Sequence, residues 1–299
     1  MKKLIIAGLV LMAAGCGNDE SLDSSVNLSS ELGVAPVTVS VNDFSISQEE
    51  MPAATRATAV GEYAGVKFLT LAFYASNGTE VYKHTQEKEN LEEGDTFGEF
   101  STSLPLGSYK MVVLGYVLYD DDALTLTSPT QAEWTVGAPR ETFAATQVVN
   151  VTSLTALNLT ATLSRIVSQL KVISTDNRTA NVEKIRMTFA AGGKAFDPTT
   201  GLATVNTGSV STVSIGVAVG ERSGAIGYVF LATDEQTMNV TIETLDSEGN
   251  TIFTKTVENV PLQRNRITKL TGAMYGASAT AGSFQVNTTW LDEEDPIAF

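Results

Sequence analysis

Few residues of this chain are equipped for chemistry, and two of the reactive positions lie near its start. Cys16 is the sole cysteine and His84 the sole histidine among 299 residues. A lone thiol can act as a nucleophile or acyl acceptor but can form no disulfide within the chain. Its context is specific. Met1-Lys2-Lys3 is basic, and Leu4 to Ala14 is an apolar run too short to cross a bilayer as a mature helix. Ala13-Ala14-Gly15 then places small residues directly before the sulfur. This is a secretory signal ending in a lipobox, over residues 1–15. The alternative is a stray thiol in a discarded leader. The second reactive position is the Arg56-Ala57 bond. It lies among small residues, Pro52-Ala-Ala-Thr-Arg-Ala-Thr58, in a stretch open to a protease that reads arginine.

The usual catalytic and metal-binding arrangements are missing. His84 has no cysteine partner, so zinc sites of the common kinds are excluded. There is no G-x-S-x-G elbow, no P-loop, and no G-x-G-x-x-G after a strand. Asp120-Asp121-Asp122 and Asp292-Glu293-Glu294-Asp295 lack the spaced ligands of an EF-hand loop and read as solvated acid runs. Trp134 and Tyr119 could stack on a sugar, or belong to the core of a sandwich. The expectation is a chain with no catalytic residue, no metal and no cofactor. A formal charge of −15 and a pI near 4.5 argue against nucleic acid and anionic membrane faces as partners.

The elements that would position the reactive residues are strands. Val37, Val39 and Val41 alternate with Thr38, Ser40 and Asn42, the period-two pattern of a half-buried strand. The apolar set then slips register to Phe44 and Ile46, which predicts a bulge or bend near Asn42-Asp43. Two readings stay open: an edge strand with a linker, or a removable strand covering a groove until Arg56-Ala57 is cut. Upstream, Gly17 to Leu32 is rich in Ser, Asn and acid and reads as a tether. Residues 16–56 thus form a unit of tether and N-terminal strand, a propeptide on the second of those readings. Beyond it, Val66–Ala75, Tyr109–Tyr119 and Thr142–Val151 lead a series of short strands separated by turns about every ten residues. His84–Gly94 is charged and reads as a loop. With no sustained 3.6 period, the chain is expected to be all-β, with two β-sandwiches at 57–156 and 157–299. The last strand, Gly282–Leu291, puts Phe284, Val286, Thr288 and Trp290 on one face and polar residues on the other. It follows a Gly- and Ala-rich hinge, so it is either an ordinary last strand or one able to swing outward.

The start of the chain resembles bacterial lipoproteins, which implies cleavage before Cys16 and acylation of its sulfur and new amino group. Several later segments together resemble the fimbrillin family of type V pilins. They are Val260-Pro-Leu-Gln-Arg-Asn-Arg-Ile-Thr-Lys-Leu-Thr-Gly272, Ala161-Thr-Leu-Ser-Arg-Ile-Val-Ser-Gln-Leu170, Tyr63 to Gly78, and Leu106-Gly-Ser-Tyr-Lys-Met-Val-Val-Leu114. The resemblance spans nearly the whole chain, although each piece alone is degenerate. It implies two transthyretin-like sandwiches and an outer-membrane lipoprotein precursor held by acyl chains. It further implies that an arginine-specific protease cuts after Arg56. The freed groove then takes the C-terminal strand of a neighbour, with 282–291 matching the donor position. The implied product is a cell-surface fimbrium, a homopolymer of pilin subunits supporting adhesion to a host surface ligand. Anchor subunits of such pili keep their lipid and some tip subunits lack a usable donor, so stalk, anchor and tip stay open, with stalk favoured. A monomeric surface lipoprotein that binds glycans or host proteins is the competing class.

Overall fold

The computed structural model describes residues 33–45, 58–119, 122–275 and 284–287, and these form an all-β architecture. The first half supplies β1 (Val34–Ser45), β2 (Thr58–Ala59), β3 (Phe68–Ala75), β4 (Glu80–Glu87), β5 (Glu99–Pro105) and β6 (Gly107–Tyr116). It continues with β7 (Ala123–Ser128), β8 (Gln131–Val136), β9 (Thr142–Val151) and β10 (Leu157–Arg165). The second half supplies β11 (Ser168–Ser174), β12 (Lys184–Phe189), β13 (Ala195–Asp197), β14 (Leu202–Ala203) and β15 (Ser209–Ser214). It ends with β16 (Gly224–Val229), β17 (Glu235–Leu245), β18 (Thr251–Gln263), β19 (Ile267–Gly272) and β20 (Gln285–Asn287).

One long sheet, ordered β2-β1-β10-β9-β6-β3-β4 with β5 also on β1, makes the first sandwich by folding over itself. The fold comes at β10, which meets β9 only through Ser164–Ala144 and Arg165–Phe143. Inward residues of β1, Val37 and Val39, thereby share a core with Leu71, Phe73, Met111 and Val113 of β3 and β6. The expected boundary places the alternating run Leu157–Leu163 at the start of the second sandwich, where β10 lies. Instead it pairs with β1, and its Ala161 and Leu163 lie in the first core, so the chain leaves this sheet after Arg165. Its alternation reports that one face is buried, and alternation is indifferent to which sandwich buries it.

The second sandwich packs the sheet β16-β11-β19-β20 against β15-β12-β17-β18 around Leu170, Val172, Ile185, Met187, Val240 and Ile242. Arg186 and Glu243 lie directly opposite in its β12–β17 pair and form a bidentate ion pair with contacts of 2.6 and 2.7 Å. The guanidinium holds the Glu243 carboxyl below its ordinary value of 4.5. A depressed carboxylate adds stability above its unfolded pKa and loses it as pH falls through the folded value. Glu243→Gln is therefore expected to flatten the loss of stability between neutral pH and about pH 3, read from urea midpoints across that range.

A third layer joins the halves. The hairpin β7–β8 from the first half pairs with β13, itself paired with β14, making a four-stranded sheet drawn from both halves. It covers the outer face of β3 and β6, where Ala72, Tyr74, Val112 and Leu114 meet Trp134, Phe196 and Phe230. Strands β3 and β6 are thus buried on both faces, which is why Tyr109–Tyr116 reads as nearly continuous hydrophobicity. Trp134 is fully buried here, edge-on to Tyr116, and takes no part in sugar stacking. Tyr119 is exposed and lies under the Arg140 guanidinium.

Side chains tie the same junction. Arg165 pairs with Glu141 at 2.5 Å and donates to Asn265 Oδ1 at 3.1 Å, while its guanidinium lies over the Phe143 ring. Tyr63 donates to Glu141 at 2.8 Å, and its hydroxyl is pushed up to about 12, by burial first and the Glu141 charge second. Asn265 turns the chain between β18 and β19 in the left-handed region, φ 58°, and its N–H donates to the Val167 carbonyl. Arg264 beside it pairs with Asp234 and donates to the Thr200 carbonyl. The Arg-Asn of one resemblance segment and the Arg-Ile-Val of another therefore meet in space, at the crossing from one sandwich to the other.

Candidate functional site

The site is the slot that β1 fills. β1 runs antiparallel to β5, from Val34–Pro105 to Ser40–Glu99, and parallel to β10, from Val37–Leu157 to Ser45–Ser164. It is thus an internal strand although it comes first in the described chain. Of the two readings open from sequence, an edge strand is excluded. Ala35, Val37, Val39 and Val41 point into the first core with 0–2 % of their surface exposed. Fully burying a valine side chain stabilises by about 1.5–3 kcal/mol. Without β1, both β5 and β10 would present unpaired backbone groups to water.

The expected bulge is present. Pairing with β10 shifts between Val41–Ala161 and Asp43–Thr162, leaving Asn42 as the extra residue. Phe44 resumes the pairing opposite Leu163, and β2 joins antiparallel at Asp43–Ala59 and Phe44–Thr58. Ile46, Arg56, Ala57 and Cys16 lie outside the described residues. The described part of the strand, Val34–Ser45, fills the slot, and its Asp43 and Phe44 lie against β2, which begins at Thr58.

A buried clamp holds the bulge end, and sequence reading missed it. Gln86 of β4 is 4 % exposed. Its Nε2 donates to the Glu99 carbonyl at 2.7 Å, and its Oε1 accepts from the Gly98 N–H at 2.9 Å. The Gly98 carbonyl, so oriented, accepts the Val41 N–H at 2.7 Å. Gly98 has φ +96°, and a Cβ there would lie 2.8 Å from Val60 Cγ1 and 2.9 Å from the Val41 carbonyl oxygen. The residues 84–87 expected in a charged loop are the end of β4. A polar residue among charges carries no pattern that marks it as buried.

Near the other end of the chain, β20 pairs antiparallel with β19 through Asn287–Lys269, Val286–Leu270 and Gln285–Thr271. Phe284 packs on the second core beside Gly272, where a Cβ would meet its ring at 2.7 Å. Val286 is 41 % exposed, so the expected apolar face is only partly used within the chain. Thr288 and Trp290 lie outside the described residues. Asp176 fixes the preceding segment by accepting the Met274 and Tyr275 N–H groups, each at 2.8 Å. Among the described residues no group of three or more His, Cys, Asp or Glu is placed to hold a metal, and no helix is long and apolar enough to cross a membrane.

Solved structures share this architecture. The fimbrial anchor protein Mfa2 from Porphyromonas gingivalis aligns with a TM-score of 0.51 at 12 % identity, over 86 % of this chain and 98 % of that one. An adhesin candidate from Bacteroides ovatus aligns at 0.50 and 10 % identity, over 88 % and 97 %. Another from Bacteroides thetaiotaomicron aligns at 0.50 and 11 % identity, over 85 % and 97 %. No curated protein sequence matches the chain. The fold is thus that of fimbrial and adhesin structures, in agreement with the fimbrillin resemblance of the sequence. Residues 33–295 match a protein family described as of unknown function (DUF6562), and the chain belongs to that family.

Proposed function

We propose that the protein is a structural, non-enzymatic subunit of a surface pilus, assembled by strand exchange. The observation that carries this reading is the position of β1. An internal strand with four buried side chains is joined to the rest of the fold through a stretch containing one arginine. In the proposed sequence of events, Cys16 is acylated and holds the precursor at the outer membrane. An arginine-specific protease cuts Arg56-Ala57, β1 leaves, and the C-terminal strand of a neighbouring pilin enters the slot. Residues 282–291 of this chain serve the next subunit, and the filament supports adhesion to a host surface. Exchange is energetically reasonable because an emptied slot forfeits several buried valines in a domain worth only about 5–15 kcal/mol. It also leaves two strand edges that a new strand satisfies.

The fold shared with a fimbrial anchor protein favours a second reading, in which the subunit keeps its lipid and β1 and sits at the base of the filament. Arg56→Ala separates the two. In a polymerising subunit it should hold the chain as a β1-retaining monomer, seen by gel ladder. In an anchor it should change nothing. Cys16→Ala should abolish incorporation of labelled fatty acid in both, and continued labelling would remove the lipoprotein step from either.

A further inference from the structure

The shape of the slot specifies its occupant more narrowly than "a strand". Before the bulge its inward positions hold Ala35, Val37, Val39 and Val41, all essentially without solvent access. A buried, close-packed core accommodates extra volume only by displacing its walls. The chain's own C-terminal segment is Gly282-Ser-Phe-Gln-Val-Asn-Thr-Thr-Trp-Leu291. Seat Val286 at any of the four positions, with alternate residues filling the other three, and either Phe284 or Trp290 must enter a site shaped for alanine or valine. The opposite face offers Ser283, Gln285, Asn287 and Thr289, which would bury amides and hydroxyls in an apolar core.

The clamp adds a second requirement. Gln86 orients the Gly98 carbonyl toward the N–H of the fourth inward residue, and the register then slips by one residue. An occupant must offer an N–H at that point and tolerate an extra, bulged residue directly after it.

On these grounds we infer that the slot selects a strand from a different subunit, with alanine- or valine-sized residues at four alternate positions and a bulge after the fourth. The subunit is thus built to receive a heterologous partner, not to self-polymerise through Phe284–Trp290. The inference rests on the strand-exchange reading and names the partner within it.

The test uses the full chain, clipped by an arginine-specific protease, with departure of the β1 fragment followed by mass spectrometry. Three labelled peptides are then offered. One copies Val34–Ser45, one is that copy carrying Val39→Phe, and one copies Gly282–Leu291. The unaltered copy is expected to be retained, and the other two at least tenfold less. A parallel preparation carrying Gln86→Leu should hold the unaltered copy at least fivefold less well. If β1 leaves and the C-terminal peptide enters as readily as the β1 copy, the inference is overturned while strand exchange stands. If β1 never leaves, or leaves and no peptide enters, strand exchange itself fails and the inference with it.

Discussion

Val39→Asp is expected to unfold the first sandwich. Val39 is at the centre of β1, has no solvent-accessible surface, and packs among apolar side chains that offer a carboxylate no partner. Burying an unpaired charge costs far more than the lost methyl groups, and the site escapes by protonation or by expelling the strand. A loss of about 4 kcal/mol or more is expected, set against the 5–15 kcal/mol of a typical domain. Thr38→Asp, one residue away on the half-exposed face, should cost less than about 1 kcal/mol. Urea midpoints of the two full-length variants make the comparison. Equal losses would mean that β1 is not seated with alternate residues inward.

Trp134→Ala should have the next largest effect, of a different kind. The indole is fully buried in the third layer, edge-on to Tyr116, and its backbone N–H donates to the Lys194 carbonyl across the two halves. Truncating a buried tryptophan costs about 3–5 kcal/mol. Because this layer is the shared core of the halves, its loss should also uncouple them. Calorimetry should resolve two transitions in the variant where the parent shows one. A single transition, merely shifted, would mean that the Arg165–Glu141–Asn265 cluster holds the sandwiches together without the third layer.

Local features of the fold were legible in the sequence and non-local ones were not. The alternation of Val37, Val39 and Val41, and its slip before Phe44, predict both the inward face of β1 and the Asn42 bulge, because pleat and bulge are properties of one strand. Nothing in that strand announces that its neighbours are β5 on one side and β10, in parallel, on the other. The run Tyr109–Tyr116 declares two buried faces. What covers the second face comes from β8 and β13, short strands whose own residues do not say which face they will meet. The crossing between sandwiches was misplaced for the same reason, since Leu157–Leu163 alternates equally well for either core. Gln86 was missed because its burial follows from backbone groups of Gly98 and Glu99, at the turn into β5, not from its own surroundings in sequence.

The proposed strand exchange requires β1 to give up its place between β5 and β10 to a strand of another subunit. Its most direct test is the N-terminus of this chain in sheared surface filaments, read together with the cross-linked partner at Thr102 of β5. Under strand exchange the chain begins at Ala57, with a peptide from a different subunit beside Thr102. Filaments in which this chain still carries Val34–Ser45 beside Thr102 would contradict it.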